Sequence, residues 1–144
     1  MTIETKPCLI AVDDNEDSAE LIVRVAKKAG YAARGVTNPR CIKDEVTQNN
    51  PDVITLDLSM PEADGLETLD FLRDADFRGR LIIISGHREC LREHVCTWAR
   101  TYGFDVAGNL EKPLRLQALS DLLTGLHRQV LDRAQPEAIA QAAK

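Results

Sequence analysis

Four short apolar runs, each ending in polar residues, constrain the fold of this chain more than any other feature. Cys8-Leu9-Ile10-Ala11-Val12 ends in Asp13-Asp14. Val53-Ile54-Thr55-Leu56 ends in Asp57, followed by Leu58-Ser59-Met60-Pro61 and then Asp64-Gly65. Leu81-Ile82-Ile83-Ile84 ends in Ser85-Gly86, and a weaker fourth run precedes Lys112-Pro113. Short continuous apolar runs read as strands buried on both faces, as in parallel sheets. If these runs are neighbouring parallel strands, three carboxylates, a hydroxyl and an ammonium gather at one edge. Such a group has little structural use. It can hold a divalent cation and carry a phosphoryl group.

Strand and helix patterns alternate along the whole chain. A helix over about 16–29 has Leu21, Ile22, Val25 and Ala29 on one face, and Gly30 stops it. Residues 32–36 form a weaker strand, nearer an edge. Asn38-Pro39 is a cap followed by proline, opening a second helix to about Asn49, which Asn50-Pro51 breaks. A third helix opens at Asp64-Gly65 and carries Leu66, Leu69 and Leu72. Residues 81–84 are the most apolar strand, expected at the centre. A fourth helix over about 89–102 places Leu91, Val95, Trp98 and Tyr102 on one stripe, and Gly103 ends it. The fifth strand lies within 106–111. The last helix carries Leu116, Leu119, Leu123, Leu126 and Val130, with Leu122 alongside, and Pro136 ends or interrupts it. Five βα units imply an α/β fold, a parallel sheet with helices on both faces. Ligands of such sheets bind beyond the carboxyl ends of the strands. Asp13, Asp14, Asp57, Ser85 and Lys112 all fall there.

At 144 residues the chain fits one domain. A net charge of −5 argues against non-specific nucleic-acid binding. No apolar stretch nears the roughly 20 residues of a membrane span, and residues 1–7 lack a signal-peptide layout. A cytoplasmic location is expected. Cys8, Cys41, Cys90 and Cys96 form no CxxC and have no histidine at zinc spacing, so reduced thiols are expected.

Three carboxylates at about 5 Å repel by roughly 3 kcal/mol per pair at an effective dielectric near 20. Mg²⁺ would offset that, since it prefers oxygen ligands and keeps waters that a phosphate oxygen can replace. Asp57 is then a nucleophile able to form an acyl phosphate. Lys112 supplies positive charge and Ser85 a hydrogen-bond donor. A cis Lys112–Pro113 bond would aim the ammonium inward. Taken singly, each residue has a plainer reading. Asp13, Asp14 or Asp57 could cap a helix, Ser85 could be a strand-end hydroxyl, and Lys112 a solvated lysine. Those readings do not explain why all five fall at one edge.

The residues Val12-Asp13-Asp14-Asn15, Asp57-Leu58-Ser59-Met60-Pro61 with Asp64-Gly65, Ile84-Ser85-Gly86 and Glu111-Lys112-Pro113 closely resemble the receiver domain of bacterial two-component response regulators. The resemblance covers about residues 6–130. It implies a flavodoxin-like, doubly wound five-stranded sheet in the order 2-1-3-4-5. It implies Mg²⁺ bound by Asp13, Asp14, Asp57 and the backbone carbonyl of Ser59, and phosphorylation of Asp57 by a sensor histidine kinase or histidine phosphotransfer protein. Ser85 becomes the switch hydroxyl and Lys112 the phosphate contact. Ser59 and His87 fall where the family's side chains flank the hydrolytic water. Asn109 stands where the family usually has an aromatic switch. The segment 102–108 and its flanking motifs also resemble receivers joined to EAL-type cyclic-di-GMP phosphodiesterases.

The expectation is a signalling module rather than an enzyme, with a receiver domain over 1–133 and a tail or helix extension over 134–144. A pseudo-receiver that binds without phosphorylation is one alternative. A Mg²⁺-dependent dehalogenase-like phosphatase is another, but Ser59 stands where those enzymes want a second aspartate. No direct nucleic-acid or membrane partner is expected. The leucine seam of the last helix points to a homodimer.

Overall fold

The computed structural model describes residues 6–58, 65–85 and 89–142, with the backbone alone described for 65–66, 89–93 and 130–142. Five strands, β1 (Cys8–Val12), β2 (Ala32–Val36), β3 (Val53–Asp57), β4 (Arg80–Ser85) and β5 (Asp105–Glu111), pair in parallel in the order β2-β1-β3-β4-β5. The helices between and after them are α1 (Glu16–Lys28), α2 (Ile42–Asn49), α3 (Gly65–Asp74), α4 (Glu89–Thr101) and α5 (Leu116–Ala142). A short 3₁₀ turn, Pro39–Cys41, leads into α2. This is the doubly wound architecture expected from the alternation. The middle of the sheet is β3 rather than β4. The greater apolarity of β4 reflects burial between β3 and β5, where residues 81–85 are all buried.

Alternation along the strands separates two cores. Ile10, Val12, Ile54, Leu56, Leu81 and Ile83 pack against α2, α3 and α4. Leu9, Ala11, Val53, Ile82 and Ile84 pack against α1 and α5. The buried face of α1 is Ala19, Ile22 and Ala26, so Leu21 of the expected stripe is exposed instead. On α4 the inward residues are Val95, Cys96 and Ala99. Trp98 faces out and meets Tyr102 edge-on, because the sheet takes the 95/99 row rather than the 95/98 row. On α5, Leu119, Leu123 and Leu126 are buried and Leu116 is exposed. Leu126 therefore belongs to the domain's own core. The helix also continues across Pro136, contrary to the break expected there. Cys8 and Cys41 are free thiols.

Helix ends follow local chemistry. Gly30 takes φ 100° after α1 and Gly103 φ 92° after α4, conformations that cost glycine nothing. Asn38 accepts from Arg40 N at 3.0 Å, the expected cap before Pro39.

Candidate functional site

The loop after β1 turns sharply because Asn15, rather than either aspartate, caps α1. Its Oδ1 accepts from Ser18 N at 3.0 Å. The plainer reading of Asp13 and Asp14 as caps is thereby removed. Asp13 is tied to the scaffold on both sides. Its N–H donates to Val36 O at 3.1 Å, and its Oδ1 accepts from Asn15 N at 3.0 Å. Its carboxylate is fully buried, that of Asp57 nearly so, and Asp14 is exposed. Each of the three offers an oxygen within 4.8 Å of the others.

Lys112 reaches this cluster from the end of β5. Its Nζ lies 3.1 Å from Asp57 Oδ2 and 3.6 Å from Asp13 Oδ2. Its backbone N–H donates to Ser85 O at 2.9 Å, which fixes the loop to the end of β4. The Lys112–Pro113 bond is cis, as anticipated.

Electrostatics follow from burial. Desolvation pushes the Asp13 carboxyl up to about 6 from 3.8. The Asn15 N–H pulls it back, the Asp57 charge pushes further, and Lys112 again pulls back. Burial alone would lower the Lys112 ammonium. The hydrogen bond and charge of Asp57, with Asp13, outweigh it and raise the value. One ammonium thus faces several carboxylates, and the residual strain is carried by Asp13.

The donor set fits a hard divalent cation. It is all oxygen, one member is open to solvent, and the buried Asp13 Oδ2 has no hydrogen-bond partner. A cation there would satisfy that oxygen and offset the repulsion.

Residues 9–124 match the family model described as the response regulator receiver domain. The chain belongs to that family. Receivers characteristically take a phosphoryl group on an aspartate and bind Mg²⁺ at an acidic cluster, and the Asp13, Asp14 and Asp57 pocket fits the latter. This receiver is 32% identical over 81 residues to the sporulation initiation phosphotransferase F of Bacillus subtilis, covering 56% of this chain and 65% of that one. It is 35% identical over 74 residues to a protein-glutamate methylesterase/protein-glutamine glutaminase of Xanthomonas oryzae, covering 50% of this chain but only 21% of the relative. A response regulator crystal structure from Colwellia psychrerythraea superposes with TM-score 0.77 at 26% identity, covering 87% of this receiver and 99% of that chain. The sheet order β2-β1-β3-β4-β5 with its five helices matches the flavodoxin-like receiver fold of that structural neighbour.

Of the residues singled out in the sequence, the structure brings together Asp13, Asp14, Asp57 and Lys112. Ser85 is buried at the end of β4, one step beyond Ile84, the partner of Asp57. Asn109 lies exposed on β5 opposite Ile83. Ser59 and His87 fall outside the described residues. One participant carried no separate signal in the sequence: Asn15, whose N–H anchors Asp13. Among the described residues, no helix is long and apolar enough to cross a membrane.

Proposed function

We propose that this receiver accepts a phosphoryl group on Asp57 from the phosphohistidine of a sensor kinase or a phosphotransfer protein. The observation that carries the reading is the Lys112–Asp57 contact of 3.1 Å beside two further carboxylates. An Asp57 carboxylate oxygen attacks phosphorus, the phosphorus–nitrogen bond breaks, and the histidine nitrogen leaves with its electron pair and takes up a proton. The product is an acyl phosphate. Asp13, Asp14, Asp57 and the Ser59 carbonyl would hold Mg²⁺, which supplies charge neutralisation for the incoming oxygens. Lys112 exchanges its carboxylate contact for a phosphoryl oxygen. That exchange is inexpensive because the ammonium already sits at the site, positioned before reaction. Ser85 donates to the phosphoryl group from the next strand. Ser59 and His87 set the path of the hydrolytic water.

Self-phosphorylation and self-dephosphorylation are the only chemistry in this reading, and the output is a change of binding surface. Asn109 cannot act as an aromatic switch, so that change runs through Ser85 and α4. The receiver domain is assigned to 1–133. A homodimer through α5 has length in its favour. The helix has 27 residues, about 40 Å at 1.5 Å per residue, against a longest strand of 7.

The test uses acetyl phosphate with Mg²⁺ and intact-mass measurement. One added phosphoryl group is expected on the parent chain and none on Asp57→Asn, because an amide is no nucleophile. Equal labelling of that variant would overturn the assignment.

A further inference from the structure

Thr55 is wholly buried in the central strand, and its hydroxyl has no hydrogen-bond partner. Its cross-strand neighbours are Ala11 on β1 and Ile82 on β4. Nothing in that row pairs with a hydroxyl. Valine has the same shape and would fill the place without burying an unmet polar group, which is costly. Packing alone therefore does not account for threonine here.

Its place in the sheet suggests what does. Val53 packs on the α1/α5 face together with Ala11, and Leu110 packs against the same cluster. Two-residue steps put Thr55 and then Asp57 on that face of β3, Asp13 on that face of β1, and Lys112 on that face at the end of β5. Thr55 is thus one side-chain row beneath the acidic site. Besides Thr55, the buried side-chain oxygens without a hydrogen bond among the described residues are Asp13 Oδ2 and an oxygen of Asp70 on α3. Asp13 Oδ2 belongs to the row above and to the adjacent strand. Its contact with Lys112 at 3.6 Å is too long to serve as a hydrogen bond. Ala11, two residues before Asp13 on β1, faces Thr55 across the strand pair, and its side chain ends at Cβ.

We infer that Thr55 is a positioning residue for the acidic site. Its hydroxyl donates to Asp13 Oδ2 through one buried water. Asn15 N–H holds the other oxygen of Asp13. Together they fix the plane of a carboxylate that would otherwise be anchored at one oxygen only. Partners of this kind orient ligating carboxylates, and their loss weakens metal binding by roughly 10- to 100-fold.

The inference rests on the metal reading above for one of its two measurements, and not for the other. Thr55→Val and Thr55→Ser are compared with the parent chain. First, the unfolding temperature is followed against Mg²⁺ concentration, since a ligand of the native state raises it. The Mg²⁺ needed for half the rise should increase by about 10-fold in Thr55→Val and stay near the parent in Thr55→Ser. Second, the ¹³C resonance of the Asp13 carboxyl is recorded without metal. It should move in Thr55→Val and hold in Thr55→Ser. A valine variant that matches the parent in both measurements overturns the inference, as does a serine variant displaced as far as valine. If the parent shows no response to Mg²⁺, the metal reading fails, and the carboxyl resonance alone decides the role of Thr55.

Discussion

The metal-free protein should be stabilised by removing one of its own site residues. Asp13 is wholly buried and its carboxyl is raised from 3.8 to about 6. A raised carboxyl binds more protons folded than unfolded between those values. Stability from this group is therefore lost as pH rises through that window. The distance from 3.8 to about 6, at about 1.36 kcal/mol per pH unit, gives a cost of roughly 3 kcal/mol above pH 7. Well below 3.8 both states are protonated and the cost vanishes. An asparagine side chain at this position would keep an oxygen for the Asn15 N–H and carry no charge. Asp13→Asn should thus gain about 3 kcal/mol at pH 8 in chelator, and only about 0.5 kcal/mol at pH 4. With a urea slope near 2 kcal/mol/M, the midpoint should rise by about 1.5 M. Added Mg²⁺ should narrow the gap by stabilising the parent alone. An equal gain at both pH values would show that the benefit is packing. No gain at pH 8 would show that the buried carboxylate costs nothing, and the electrostatic reading of the site would fall.

Lys112→Met should act in the opposite direction. It leaves the carboxylates of Asp57 and Asp13 without their ammonium, and breaking a buried pair on one side costs about 3 kcal/mol at the low end. Urea unfolding at pH 8 in chelator reads this directly, and an unchanged midpoint would mean that the ion pairs carry no net stability. For the α5 contact, sedimentation at high concentration should show a dimer. A monomer in both the phosphorylated and unphosphorylated forms would rule it out.

The strands were legible because burial on both sheet faces leaves an unbroken apolar run. Residues 8–12, 53–56 and 81–84 all show it. β5 was blurred by a register shift. Its pairing with β4 shifts between Leu81 and Ile82, so Val106 and Gly108 are partnered and Ala107 is the extra residue. A bulge breaks the two-residue period, and an edge strand with half-exposed residues has no apolar run to show. Helix faces were legible only in part. Periodicity offers several rows a turn apart, and the tertiary neighbour chooses among them, which is how Trp98, Leu21 and Leu116 came to face outward.

The site was legible for a different reason. Strand-end residues converge whenever strands are parallel and in order, so Asp13, Asp57 and Lys112 could be brought together without coordinates. What a sequence does not carry is the state of each atom. Asp13 and Asp14 are identical as letters. Yet one is fully buried with an unmet oxygen and a carboxyl raised to about 6, while the other is exposed. The difference comes from direction. Asp13 still follows the inward alternation of β1, tied to Val36 across the strand pair, whereas Asp14 is already in the turn that Asn15 closes. The same alternation puts Thr55 beneath the site as the one hydroxyl in an otherwise apolar strand interior. Read as a letter, it is a β-former in a strand. Placed in its row, it is a polar group whose natural partner is one residue row above.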